Sequence, residues 1–172
     1  MTIQHFKFFN DGLKPEQRLR NEYMTKTCLD DDRLWIPYGE GTWFQACHFN
    51  VTTGGFANVL KILPGKQLDT HYHISTVHGF TIRGLWGYRE HDWIATPGSY
   101  IFEPPGELHT LYVPEDSPEP MVTFFALSGG LIYTHPDGSF AGYDDGFTLL
   151  EMAREHYRNV GLDESLIDAM IR

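Results

Sequence analysis

The sequence predicts one all-β domain, an antiparallel barrel or sandwich with a C-terminal helical tail, and three observations predict it. From Gly41 to about Leu127 the chain runs in short stretches rich in Val, Ile, Phe, Tyr and Trp, broken by Gly, Pro and Asp. Short strands at such regular spacing are the mark of a sandwich or barrel. After Asp145 the apolar spacing changes from strand-like to helical. Finally, 172 residues with 41% hydrophobic and 21% charged side chains suit a single domain that can bury a core. That composition excludes a disordered or collagen-like chain.

Residues 1–40 mix charge and polarity around Pro15, the acidic run Asp30-Asp31-Asp32 and the aromatic Trp35-Ile36-Pro37-Tyr38, with no sustained period. They read as an irregular N-terminal arm packed on the barrel. The barrel is expected over 41–145, with strands at 42–49, 56–63, 77–83, 85–94, 99–103, 108–113 and 121–127. A late hairpin joins Leu131–His135 to Ser139–Tyr143 through Pro136-Asp137-Gly138, in which Pro presets φ and Gly tolerates a positive φ. Within 146–172, Leu149, Met152, Ala153, His156, Tyr157 and Val160 fall at helical spacing. Thr148 and Glu151 have the spacing of a capping box, Gly161 supplies a stop, and a second short helix is expected from Asp163.

Lys and Arg number 13 against 23 Asp and Glu, a formal charge of −10, and no basic patch stands apart. Nucleic-acid binding, which depends on neutralising phosphates, is therefore not expected. The two cysteines, Cys28 and Cys47, make neither a disulfide framework nor a multi-thiolate site and are expected to be small buried hydrophobes. A cytoplasmic protein is the simplest expectation. The N-terminus lacks the apolar stretch of a signal peptide, and no run approaches the ~18 apolar residues of a membrane span, so no membrane partner is expected.

His71-Tyr72-His73 places two imidazoles at i and i+2, which share one face of a strand and can bind one metal together. Nine histidines in the chain make such a pair weak evidence alone. Its surroundings carry more. Gly65, five residues, His71-x-His73 and then Gly84 are followed by Gly98, five residues, Pro104-x-Gly106, two residues and His109. In these eight positions the chain resembles the cupin superfamily, whose two motifs run G-x5-H-x-H-x3-4-E-x6-G and G-x5-P-x-G-x2-H-x3-N. The resemblance implies a cupin-type antiparallel β-barrel, or jelly roll, in which His71, His73 and His109 converge on one divalent metal.

Two positions depart from the motifs: Val77 stands where cupins carry a Glu ligand, and Val113 where they carry the terminal Asn. His78 lies one residue later, on the opposite face unless a one-residue bulge intervenes. Three neutral imidazoles would leave the full charge of the ion and open coordination positions, favouring an anionic bidentate ligand such as an enolate. Carboxylate-free members of the superfamily are oxygenases that cleave C–C bonds of diketones and hydroxyketones. Gly79-Phe-Thr-Ile-Arg-Gly84, Tyr88-Arg-Glu-His-Asp-Trp93 and Gly98–Gly106 look like the 2,4′-dihydroxyacetophenone dioxygenase group in particular.

By the same resemblance Glu103 either accepts a hydrogen bond from a ligand histidine and handles a proton, or is a turn carboxylate before Pro104. Arg89 either holds a phenolate or carboxylate, if its strand face looks inward, or is surface charge. Tyr72, Phe80, Trp86, Tyr100, Phe102, Phe124 and Phe125 could line an aromatic pocket, but most are expected in the core. His5, His48, His135 and His156 lack ligand spacing.

The resemblance thus implies an Fe(II) dioxygenase taking a small ketone and O₂, with one metal per chain, iron before zinc, nickel or manganese. Edge strands and the 1–40 arm would pair such barrels into homodimers or homotetramers. The alternatives are a redox-inert metal isomerase or hydrolase, and a zinc-binding cupin sensor domain.

Overall fold

The structure, a computed structural model, describes residues 22–172, so the greater part of the expected 1–40 arm, with His5 and Pro15, lies outside the described residues. A 3-10 turn at Asp32–Leu34, capped by the Asp31 carboxylate accepting the Arg33 N–H, leads into strand β1 (Ile36–Gly39). That strand pairs with β2 (Thr42–Phe49), Ile36 opposite Phe44, so this part of the expected arm is sheet.

The remaining strands are β3 (Phe56–Ile62), β4 (His71–His73), β5 (Val77–Arg83), β6 (Gly87–Tyr88), β7 (Tyr100–Glu103), β8 (Leu108–His109), β9 (Leu111–Tyr112), β10 (Met121–Leu127), β11 (Leu131–Thr134) and β12 (Phe140–Asp144). They form a six-stranded sheet in the order β1-β2-β3-β10-β5-β7, a four-stranded sheet β12-β11-β4-β8 and the pair β6-β9. Each of these strand pairs is antiparallel, and an isolated parallel bridge joins Phe49 to Ile171. The chain is mostly β, as expected.

Alternation decides what each strand buries. On β5, Val77, Gly79 and Thr81 are buried while His78, Phe80 and Ile82 are exposed. Gly84 then turns the chain at φ 70°, and a Cβ there would come within 2.6 Å of the Pro120 carbonyl. Phe44, Phe49, Ile62, Trp86, Leu111 and Met121 are fully buried in the core between the sheets. A smaller cluster, Trp35, Val59 and Val122, lies apart from it.

Helix α1 (Gly146–Val160) buries Leu149, Ala153 and Tyr157 on one face, the Leu149 side chain alone contributing about 1.5–3 kcal/mol of apolar burial. Its capping box is Asp145 with Thr148, not Thr148 with Glu151. The Asp145 side chain accepts the Phe147 and Thr148 N–H groups, and Thr148 Oγ1 accepts the Asp145 N–H. The cap falls one box earlier because the chain is still extended at Asp145. Gly161 ends the helix in the left-handed region, and helix α2 (Ser165–Asp168) follows.

Three further expectations change. The run 85–94 is a strand only at Gly87–Tyr88, since a turn follows at 89–90, and Arg89 has no strand face to turn inward. Phe80, Tyr100 and Phe102 are about half exposed on the outward register of β5 and of the edge strand β7, and do not fill the core. Cys28 is exposed, whereas Cys47 is half-buried and its thiol is pushed up to about 11 by burial. Among the described residues no helix is long and apolar enough to cross a membrane.

Candidate metal centre

His71 and His73 occupy alternate positions of β4, so both imidazoles enter the barrel while Tyr72 between them does not. Strand β8 pairs with β4 so that His109 stands directly opposite His71. The three residues are at most 5% exposed, and one nitrogen from each can be chosen so that all lie within 4.8 Å of one another. The Asp69 carbonyl, an acceptor only, lies 2.7 Å from His71 Nδ1. Nδ1 therefore carries the proton and Nε2 presents its lone pair. His109 is clamped from one side by the Tyr88 ring, stacked at 3.9 Å between centroids and 8° between planes.

Burial, reinforced by the neighbouring imidazoles, lowers His71 to about 4 and His109 to about 3. Both are neutral at physiological pH, which is the form that binds metals. His73 Nδ1, His109 Nε2 and Glu103 Oε2 are buried with no hydrogen-bond partner among the described residues. Such orphaned groups are costly, and a cation bound among the three imidazoles would remove part of that cost. The donor set fits a divalent metal of the zinc-to-iron series.

Glu103 is not a turn carboxylate. It is 3% exposed on β7, opposite Val77 of β5. Its Oε1 accepts the Tyr88 hydroxyl proton. Oε2 lies 2.9 Å from His73 Nε2 and 3.7 Å from His109 Nε2, neither contact being aligned as a hydrogen bond. Burial alone would raise its carboxyl, but the nearness of His73, the Tyr88 hydroxyl and the neighbouring His109 imidazole together bring it below its ordinary value. A carboxylate thus reaches the histidines from the neighbouring strand, although position 77 holds none.

Arg89 is not brought to this cluster. Its guanidinium lies exposed, stacked 4.5 Å over the Tyr112 ring and 3.0 Å from Gln67 Oε1. His78 also points away, exposed and 2.8 Å from the Tyr100 hydroxyl, so no bulge turns it inward. Beside the histidines lies a cavity of about 50 Å³, walled mainly by Phe56, Leu60, Leu68, Val77, Phe125 and Leu131. Of the aromatic residues considered from sequence, Phe125 alone lines it.

Sequence reasoning overlooked Tyr88 as the clamp on His109, because the strand assigned there hid the turn. It also overlooked Tyr38, which lines the cavity and whose hydroxyl donates to Asp144 Oδ2 at 2.7 Å and contacts the Tyr133 hydroxyl. Asn58 was overlooked as well. Its signal was present: one amide between Phe56 and Leu60 on an otherwise apolar register.

The sequence profile of the ChrR cupin-like domain matches residues 24–131. Among solved structures, a protein of unknown function with a cupin-like fold from Ralstonia eutropha JMP134 is 29% identical, over 69% of this chain and 74% of its own, with a TM-score of 0.67. An RmlC-like cupin protein from the same strain is 24% identical over 81% and 92%, with a TM-score of 0.72. An acetylacetone dioxygenase from Acinetobacter johnsonii is 17% identical over 79% and 95%, with a TM-score of 0.66. No curated protein matches the chain in sequence.

Proposed function

The chain belongs to the ChrR cupin-like domain family of the cupin superfamily, and from that premise we propose that it is a mononuclear non-haem Fe(II) dioxygenase cleaving a C–C bond of a small hydroxyketone or diketone. The observation that carries this reading is the grouping of three buried imidazoles, one buried carboxylate and an apolar cavity around a single point. Iron held by His71, His73 and His109 would supply positive charge for an enolate and the electrons that dioxygen activation needs.

The chain's own groups do the rest. Glu103 Oε2 is placed to take the substrate's α-proton, and the Tyr88 hydroxyl on Oε1 fixes the carboxylate's orientation. The apolar wall excludes water, so the charge of Glu103 acts in a low dielectric. For a 2-hydroxyketone the balance is one O₂ consumed, the bond between the two oxygenated carbons broken, and two carboxylic acids formed. The same fold carries a diketone dioxygenase in A. johnsonii, which supports an oxygenase on this scaffold.

The family match favours a second reading, a zinc-binding cupin sensor domain. Metal analysis after anaerobic purification, followed by O₂ uptake with iron-loaded and zinc-loaded protein on a ketone panel, separates the two. The dioxygenase consumes one O₂ per substrate with iron and none with zinc, which cannot change oxidation state. Zinc as the resident metal, with no uptake after iron loading, replaces it with the sensor. Turnover under nitrogen replaces it with a redox-inert enzyme.

A further inference from the structure

Asn58 lies in the cavity wall, on the inward register of β3 between Phe56 and Leu60, and is 7% exposed. Every other polar group of that wall outside the metal cluster is committed. The Tyr38 hydroxyl is shared with Tyr133 and Asp144, and the Tyr88 hydroxyl with Glu103. The Asn58 amide makes no side-chain hydrogen bond among the described residues. A leucine on this register would complete the apolar wall, whereas the amide in its place presents a donor and an acceptor to the cavity. The amide is aimed at an apolar space beside the histidines, and so at whatever enters it.

We propose that Asn58 is a substrate-binding residue, holding one oxygen of a small aliphatic hydroxyketone whose enolate oxygen faces the metal. This rests on the metal-dependent reading above and names its substrate class. A carboxamide both donates and accepts, which suits a molecule that offers a carbonyl and a hydroxyl. Size selects the aliphatic member. The cavity of about 50 Å³ is a third of the roughly 150 Å³ that holds a benzene ring, and it exceeds one water's share of about 30 Å³. The ring of the aryl ketones implied by the resemblance to 2,4′-dihydroxyacetophenone dioxygenases calls for about three times the cavity's volume.

The test uses the zinc-loaded full chain, which binds without oxidising, with hydroxyacetone and 2-hydroxyacetophenone as probes in titration calorimetry. Wild type is expected to bind hydroxyacetone more tightly than the aryl ketone. N58L is expected to keep its zinc stoichiometry and bind hydroxyacetone at least tenfold more weakly. If N58L does not fold, N58A must show the same loss. Equal affinity in wild type and a folded variant, no binding of hydroxyacetone by wild type, or preference for the aryl ketone each overturns the proposal. If hydroxyacetone binding depends on Asn58 while the iron-loaded protein takes up no O₂ with it, the dioxygenase reading falls and Asn58 stands.

Discussion

Val77 and Glu103 face each other across the β5–β7 pair, both buried, with the histidine cluster beside them. The carboxylate absent from one strand is thereby present on the next. Placing a second carboxylate at 77 would bury two acids side by side, and only one could ionise cheaply. Val77→Glu should destabilise the metal-free protein by on the order of 3 kcal/mol. In Val77→Glu/Glu103→Gln one charge is removed while Tyr88 keeps an acceptor, and most of that loss should return. Urea unfolding of the three proteins checks this, and additive losses would show that the two side chains do not share a site.

Removing a ligand is a different matter from adding one. His71→Ala, His73→Ala and His109→Ala should each fall well below one metal per chain after dialysis, by elemental analysis. His78→Ala should retain wild-type metal content, because that ring is exposed and engaged with Tyr100. Full occupancy in His109→Ala would remove that histidine from the centre. His109→Ala should also lower the stability of the metal-free protein, since the Tyr88 ring loses the face it stacks on.

The convergence of the three histidines was legible in the sequence because each motif ties its ligands to glycines and a proline that turn the chain at fixed offsets. The Val77–Glu103 pairing was not. Period-2 patterning says which residues of one strand share a face, but not which residue of a distant strand lies opposite, and the excursion from Gly84 to Ser99 separates these two strands. The same limit explains Phe80, Tyr100 and Phe102. Aromatic content marks a strand, yet at a sheet edge it does not say which register looks inward. Of the two readings of Arg89, the exposed position matches surface charge for a local reason: residues 89–90 turn where alternation would have continued.

Acid should destabilise the metal-free protein through the same residues. His71 and His109 bind protons near pH 6.5 when unfolded but only near 4 and 3 when folded. Between those values the unfolded chain holds more protons, so stability falls as pH falls. The slope is about 1.4 kcal/mol per pH unit for each group, and it levels off below pH 3. Glu103, held below its ordinary value, adds to the loss in the same direction on the acid side. Thermal melts of metal-free protein from pH 7 to 3 check the trend. A flat profile between 6.5 and 4 would mean that these imidazoles are charged in the folded state.

Tyr88 offers the means to separate holding a proton from holding a metal. Its hydroxyl, kept protonated by burial, donates to Glu103 Oε1 and helps lower that carboxyl. In Tyr88→Phe the ring remains to stack on His109, so metal content should be unchanged, while the Glu103 carboxyl should rise. A base with a higher pKa is ionised only at higher pH, so the acid limb of the kcat/KM profile should move upward with the plateau nearly retained. Glu103→Gln removes the base altogether. It should keep the metal on its three imidazoles and lose about 10²-fold or more in turnover at every pH. If the acid limb of Tyr88→Phe stays where it is in wild type, Glu103 is not the proton acceptor.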